Sequence, residues 1–203
     1  MIKAIVFDVG GVLIDYEDVM CYDYVSRVHK VDKKRYVDMI ERLSTHADRG
    51  DITARELESK VSDAFGIPIN DIQYDAVLEI EGSCNDKVMD IARSLSKKYM
   101  LAILSDVSAG RWAIAKRMID TSIFHKKFLS YKMRATKPSR KVYMNVIAGL
   151  KIKPNEIIFT DNLQRNVDGA RKIGINAIRY RNPARLKRDI SRLLKIHNGA
   201  NSW

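Results

Sequence analysis

Three polar stretches in this 203-residue chain each end an apolar run: Asp8-Val9-Gly10-Gly11 after Ala4-Ile5-Val6-Phe7, Ser105-Asp106 after Met100 to Leu104, and Asp161-Asn162 after Glu156 to Thr160. A fourth group, Lys137, stands in Thr136-Lys137-Pro138, between the second stretch and the third. Short runs of Ile, Val and Phe bounded by such punctuation read as buried strands of a parallel sheet. All strands of such a sheet end on one edge, where ligands bind, so these groups converge although they lie ~100 residues apart in the chain. A carboxylate, a hydroxyl and an ammonium together suit an anion. Asp8 could attack it, while Ser105, Lys137 and backbone amides hold its oxygens. A free carboxylate repels an anion, so Lys137 or a cation must offset that charge. Simpler roles stay open: Asp8 as a turn cap, Ser105 as a helix cap, Lys137 as a surface lysine.

The elements that must position these groups follow from hydrophobic periodicity. Between Asp15 and Leu43, apolar residues recur at helical spacing (Val19, Tyr22, Val25, Val28, then Tyr36, Met39, Ile40, Leu43), which predicts two helices parted near Val31-Asp32, with Asp32 as N-cap. Thr53 to Glu56 is a capping box that opens a third helix, and Gly66 closes it. A fourth helix is expected to run to about Leu78, and Glu81 to Asn85 to form a polar linker, with no strand in the interval. From Asn85 helices alternate with strands: helix 87–98, strand 100–104, helix 112–119, a short strand 127–131, helix 139–150, strand 156–160, helix 167–172, strand 175–180, and a last helix from Pro183. The fold class expected is α/β: a doubly wound parallel sheet from 1–14 and 85–197, a helical insertion at 15–84 and a loose tail at 198–203.

The composition, 46% hydrophobic, supports a full core, and no apolar run approaches the ~20 residues that span a bilayer. With no signal-type segment, and with only Cys21 and Cys84, far apart and without metal-type spacing, a reduced cytoplasmic protein is expected. The net charge of +11 is uneven: residues 1–100 carry 14 Lys and Arg against 19 Asp and Glu, and residues 101–203 carry 22 against 6. Such asymmetry suits a phosphorylated or polyanionic ligand, nucleic acid included, and equally a solvated basic surface. The last helix carries Arg185, Arg188, Arg192 and Lys195 opposite the apolar stripe Leu186, Ile190, Leu193 and Leu194. The four His show no ligand spacing, and Trp112 and Tyr143 are expected to pack in the core.

Taken in order, FDVGGVLID, LAILSD, TKPSRKVY and IIFTDNLQRNVDGARKIGI resemble the four motifs of the haloacid dehalogenase (HAD) superfamily, and segment 15–84 resembles that family's small helical cap. The resemblance implies a Rossmann-like core and a phosphatase that acts on a small phosphorylated metabolite. Asp8 would be the nucleophile that forms an aspartyl-phosphate, Ser105 would bind a phosphoryl oxygen, and Lys137 would orient Asp8 and neutralise charge. Gly11 and Asp106 would border the substrate. Mg²⁺ would sit between Asp8, the carbonyl of Gly10 and the acidic end of the fourth motif, Asp161 and Asn162.

Two positions depart from the family pattern. Gly10 stands where relatives usually have a second Asp that acts as general acid and base. Asn162 stands at the usual acidic metal ligand, so Mg²⁺ should bind more weakly unless Asp161 takes over the contact. These losses keep open a catalytically impaired HAD-fold protein that binds nucleic acid or an acidic partner. A dehalogenase of the same fold is less favoured, because those enzymes usually carry an aromatic residue where Gly10 stands.

Overall fold

The computed structural model describes residues 1–15, 19–72, 74–75, 78–79 and 82–199, with backbone only at 19–21. Its centre is a five-stranded, fully parallel sheet of β1 (Ala4–Phe7), β4 (Met100–Ser105), β5 (Lys126–Leu129), β6 (Ile157–Asp161) and β7 (Asn176–Arg179), in the order β5-β4-β1-β6-β7. β1 is the middle strand because it is apolar on both sides. Ile5 and Phe7 join one core layer and Ala4 and Val6 the other, all buried. The same alternation sends Leu101 and Ile103 of β4 one way and Ala102 and Leu104 the other.

Helices α4 (Asp86–Ser96), α5 (Ala109–Met118) and α9 (Pro183–Asn198) pack on the Ile5 face. Helices α7 (Arg140–Leu150) and α8 (Gln164–Arg171) pack on the Val6 face. The winding changes direction at β1: β4 and β5 build outward on one side, β6 and β7 on the other, which leaves a crevice at the carboxyl ends of β1, β4 and β6. A short helix α6 (Ser130–Met133) replaces the end of the strand expected up to Tyr131. Tyr143 is fully buried, whereas Trp112 is half-buried against the core.

The inserted segment has its own core. Helices α1 (Val19–Val28), α2 (Lys33–Asp48) and α3 (Ala54–Phe65) bury Val25, Tyr36, Ile40, Leu43, Leu57 and Val61, with Tyr36 edge-on to Tyr22 and Phe65. Asp32 caps α2, and Thr53 with Glu56 forms the capping box of α3. Val28, expected on the apolar face, is half exposed at the end of α1. The fourth helix begins as a 3-10 turn at Ile69–Asp71; residues 73, 76 and 77 of that stretch lie outside the described residues.

Two further expectations are corrected. The interval is not free of strands: β2 (Ile14–Asp15) pairs antiparallel with β3 (Ser83–Cys84), so the outgoing and returning connections are tied side by side. Both leave the same sheet edge and cross the same gap, and their backbone groups satisfy one another. Asn85 fastens this ladder: its N–H donates to Leu13 and its amide to Asp15 and Tyr180. Asn198 is not tail but the last residue of α9, and its side chain both accepts from the Ile2 N–H and donates to the Ile2 carbonyl. Residues 200–203 lie outside the described residues. Cys84 is a free, partly buried thiol, and the Cys21 side chain is not described. On α9, Leu186, Ile190 and Leu194 are buried while Arg185 and Arg192 line an open groove with Arg179 and Arg181. Among the described residues no helix is long and apolar enough to cross a membrane.

Candidate active site

Asp8 follows β1 directly, and its N–H continues the ladder to the Thr160 carbonyl at 3.0 Å. The chain then turns tightly: the N–H groups of Leu13 and Ile14 both donate to the Val9 carbonyl, and that of Gly11 to Ile14. Gly11 has φ +70, and a Cβ there would collide with the side-chain amide of Asn162. Only glycine permits both the turn and that close approach. The first and fourth strand ends are thereby pressed together.

Lys137 joins them. Its Nζ lies 2.9 Å from Asp8 Oδ1 and 2.7 Å from Asp161 Oδ2, and all three side chains are buried. The Lys137 backbone N–H donates to both oxygens of Asp106, at 3.0 and 3.1 Å, so the carboxylate after β4 anchors the loop that delivers the lysine. Asp161 is further held by the Leu163 N–H and by the Asn166 amide, whose own placement is helped by Tyr143 donating to the Asn166 carbonyl.

The electrostatics follow from one ammonium buried among three carboxylates. Burial would lower the affinity of Lys137 for its proton, but Asp8, Asp161 and Asp106 outweigh it and hold the ammonium firmly charged. Burial raises Asp161, yet Lys137 and its hydrogen bonds prevail and keep it ionised below the usual carboxylate range. Asp8 is pushed well up by burial, with Lys137 opposing and Asp161 adding to the rise. Asp106 is raised mainly by burial as well. With every group ionised the cluster carries a formal charge of −2, which favours a cation beside it.

A cavity of about 740 Å³ opens over this cluster, lined by Asp8, Gly10, Gly11, Asp106, Lys137 and Asn162. Six of the eight residues singled out in the sequence therefore share one chamber. The other two stand behind it. Asp161, at 0% exposure, is committed to Lys137 and Asn166, and Ser105, at 3%, ends β4 beneath the floor without lining the chamber. Residues that carry oxygen donors suited to a hard divalent ion line the chamber: Asp8 with its carboxylate, Gly10 with its backbone carbonyl and Asn162 with its side-chain amide. That donor set, beside a cluster of three carboxylates and one ammonium, fits Mg²⁺.

Sequence reasoning missed two cations and one wall. Arg165, at the start of α8, and Arg111, one turn into α5, line the chamber. Arg111 also donates to the Tyr74 carbonyl and lies 3.9 Å over the Tyr74 ring, bracing the helical segment against the core. The far wall is Tyr22 with Glu41, Ser44, Thr45 and Asp48 of α2. Ser108 caps α5, its side chain accepting from the Arg111 N–H, and so fixes the turn that carries Arg111; nothing in the sequence places α2 over β1.

A parallel sheet with a carboxylate after its central strand, a lysine clamped on it and an inserted helical segment above is the architecture of one hydrolase class. The chain belongs to the haloacid dehalogenase-like hydrolase family, whose model matches residues 2–174. It is 22% identical over 204 residues to a D-ribitol-5-phosphate phosphatase of Bacteroides thetaiotaomicron, covering 96% of this chain and 99% of that one. A HAD family enzyme of the same organism, in complex with magnesium and inorganic phosphate, superposes with a TM-score of 0.76 at 24% identity, over 89% of this chain and 95% of that one. A HAD-like family hydrolase from Porphyromonas gingivalis gives 0.78 at 26% identity, over 96% and 98%.

Proposed function

We propose that this protein is a phosphoric monoester hydrolase that acts on a small phosphorylated metabolite through a covalent aspartyl-phosphate. The observation that carries this reading is the clamp of Lys137 on Asp8, at 2.9 Å, at the floor of a chamber large enough for such a substrate. Lys137 and the Val9 N–H both fix Asp8 Oδ1, so the carboxylate has one orientation and its other oxygen is directed to the reacting phosphorus. Attack by that oxygen breaks the ester P–O bond, and the alcohol leaves as water supplies its proton. Water then cleaves the aspartyl-phosphate and releases inorganic phosphate. Lys137, Arg111 and Arg165 provide positive charge around the phosphoryl oxygens. Gly10 supplies no acid, so this turn contributes none of the protonation that family members obtain there.

Asp8, the Gly10 carbonyl and Asn162 would hold Mg²⁺, with Asp161 behind them as the orienter of Lys137. When bound, the ion supplies electrostatic shielding between the Asp8 carboxylate and the phosphoryl group. The helical segment 15–84 would serve as the lid of the chamber, and Ser105 would act through the backbone at the end of β4. The D-ribitol-5-phosphate phosphatase matched end to end supports a phosphorylated metabolite as substrate.

The test is phosphate release from a panel of phosphorylated metabolites, with and without Mg²⁺, by wild type and Asp8→Asn. Turnover should require Mg²⁺ and vanish in the variant while its circular dichroism is unchanged. Residual activity within tenfold of wild type, about 1.4 kcal/mol of barrier, would remove Asp8 as the nucleophile.

A further inference from the structure

We propose that α2 makes the chamber select phosphate monoesters whose far end donates hydrogen bonds and carries no second negative charge, with Glu41 and Asp48 as the residues that discriminate. This deepens, and rests on, the phosphatase reading above. The charges around the chamber are divided by origin. Its three cations, Lys137, Arg111 and Arg165, all come from the loops and helices of the α/β core, whereas both charged residues supplied by α2 are carboxylates.

Glu41, Ser44, Thr45 and Asp48 stand at positions i, i+3, i+4 and i+7 of one helix, a single stripe along one face. The two hydroxyls between the carboxylates are turned into acceptors. Ser44 Oγ donates to the Glu41 carbonyl at 2.9 Å and Thr45 Oγ1 donates to the same carbonyl at 3.2 Å, so each presents lone pairs to the chamber. A wall of two carboxylates and two acceptor hydroxyls is complementary to hydroxyl or ammonium groups. It repels a second phosphate or a carboxylate. The substrate is thus polarised like its chamber: an anionic head among the core cations and a donor-rich, neutral or cationic tail against α2.

The experiment compares two three-carbon esters that differ at the far end, glycerol 3-phosphate with its diol and 3-phosphoglycerate with its carboxylate. Binding is measured by calorimetry on the Asp8→Asn protein with Mg²⁺ present, so the outcome does not depend on turnover. The diol ester should bind at least about tenfold more tightly, the effect of one partly screened like-charge contact. Adding Glu41→Gln and Asp48→Asn should close the gap by raising affinity for the acid rather than by lowering it for the diol. Glu41→Gln alone, at an exposed position of the helix, carries the same test if Asp48 is needed for folding. Equal affinities in the parent, or an equal loss for both ligands in the variants, would overturn the assignment. Absence of Asp8-dependent phosphate release from para-nitrophenyl phosphate would instead overturn the phosphatase reading, while the binding ratio still judges the wall.

Discussion

Replacing Lys137 with methionine keeps the length of the side chain and removes its charge, which isolates the role of the ammonium. In the native protein Nζ lies 2.9 Å from Asp8 and 2.7 Å from Asp161, with side-chain exposures of 1%, 9% and 0%. At an effective dielectric constant of ~20 each of these pairs has a Coulomb energy of ~6 kcal/mol, most of it offset by the cost of desolvating the charges. Removing one partner leaves two buried carboxylates without their cation, and such losses run to ~3–5 kcal/mol, a large part of a domain's ~5–15 kcal/mol. The sign with pH is fixed. Without Lys137 the proton affinity of folded-state Asp161 rises above that of the unfolded chain, and that of Asp8, already raised by burial, rises further, so the folded state binds more protons and stability falls as pH rises. Urea unfolding followed at pH 5 and pH 8 should therefore show the full deficit at pH 8 and a smaller one at pH 5. Adding Asp8→Asn should recover part of the loss, with a coupling of ~0.5–3 kcal/mol in the double-mutant cycle. A deficit below about 1 kcal/mol at pH 8, or one independent of pH, would refute the view that Lys137 balances this cluster.

Two more substitutions probe the metal position and the lid. Asn162→Asp adds a charge where the cavity has only an amide, and the Mg²⁺ concentration for half-maximal phosphate release should fall by about tenfold, the scale of one partly screened charge; an unchanged requirement would place the ion elsewhere. Gly110→Ala sets a Cβ against the Asp75 carboxylate, which also accepts from Ser108 Oγ at 2.7 Å. Calorimetric unfolding should show a loss of about 1–3 kcal/mol, with KM raised more than kcat is lowered, because the contact between the helical segment and α5 must shift. Wild-type stability and KM would show that this contact does not hold the lid.

The sequence by itself determined the sheet and the floor of the site. β1, β4 and β6 were legible because buried parallel strands must be apolar on both faces, and Asp8, Asp106 and Asn162 were legible because strand ends of such a sheet share one edge. The helices of the insertion were equally plain, since Asp32, Thr53 with Glu56, and Gly66 are local signals that need no tertiary partner. What only the tertiary structure decided is which atoms face the chamber and which stand behind it. Asp161 is the last residue of β6 and Asn162 the bend that follows it, and their side chains go to different partners: one is taken by Lys137 and Asn166, the other lies over Gly11. No local pattern records that choice, nor the pairing of β2 with β3, nor Asn198 closing on Ile2 across the whole chain. The wall of α2 was beyond reach for the same reason. Its stripe of Glu41, Ser44, Thr45 and Asp48 reads as an ordinary solvated helix face until the fold sets it over Asp8, because periodicity reports which residues share a face and not what that face meets.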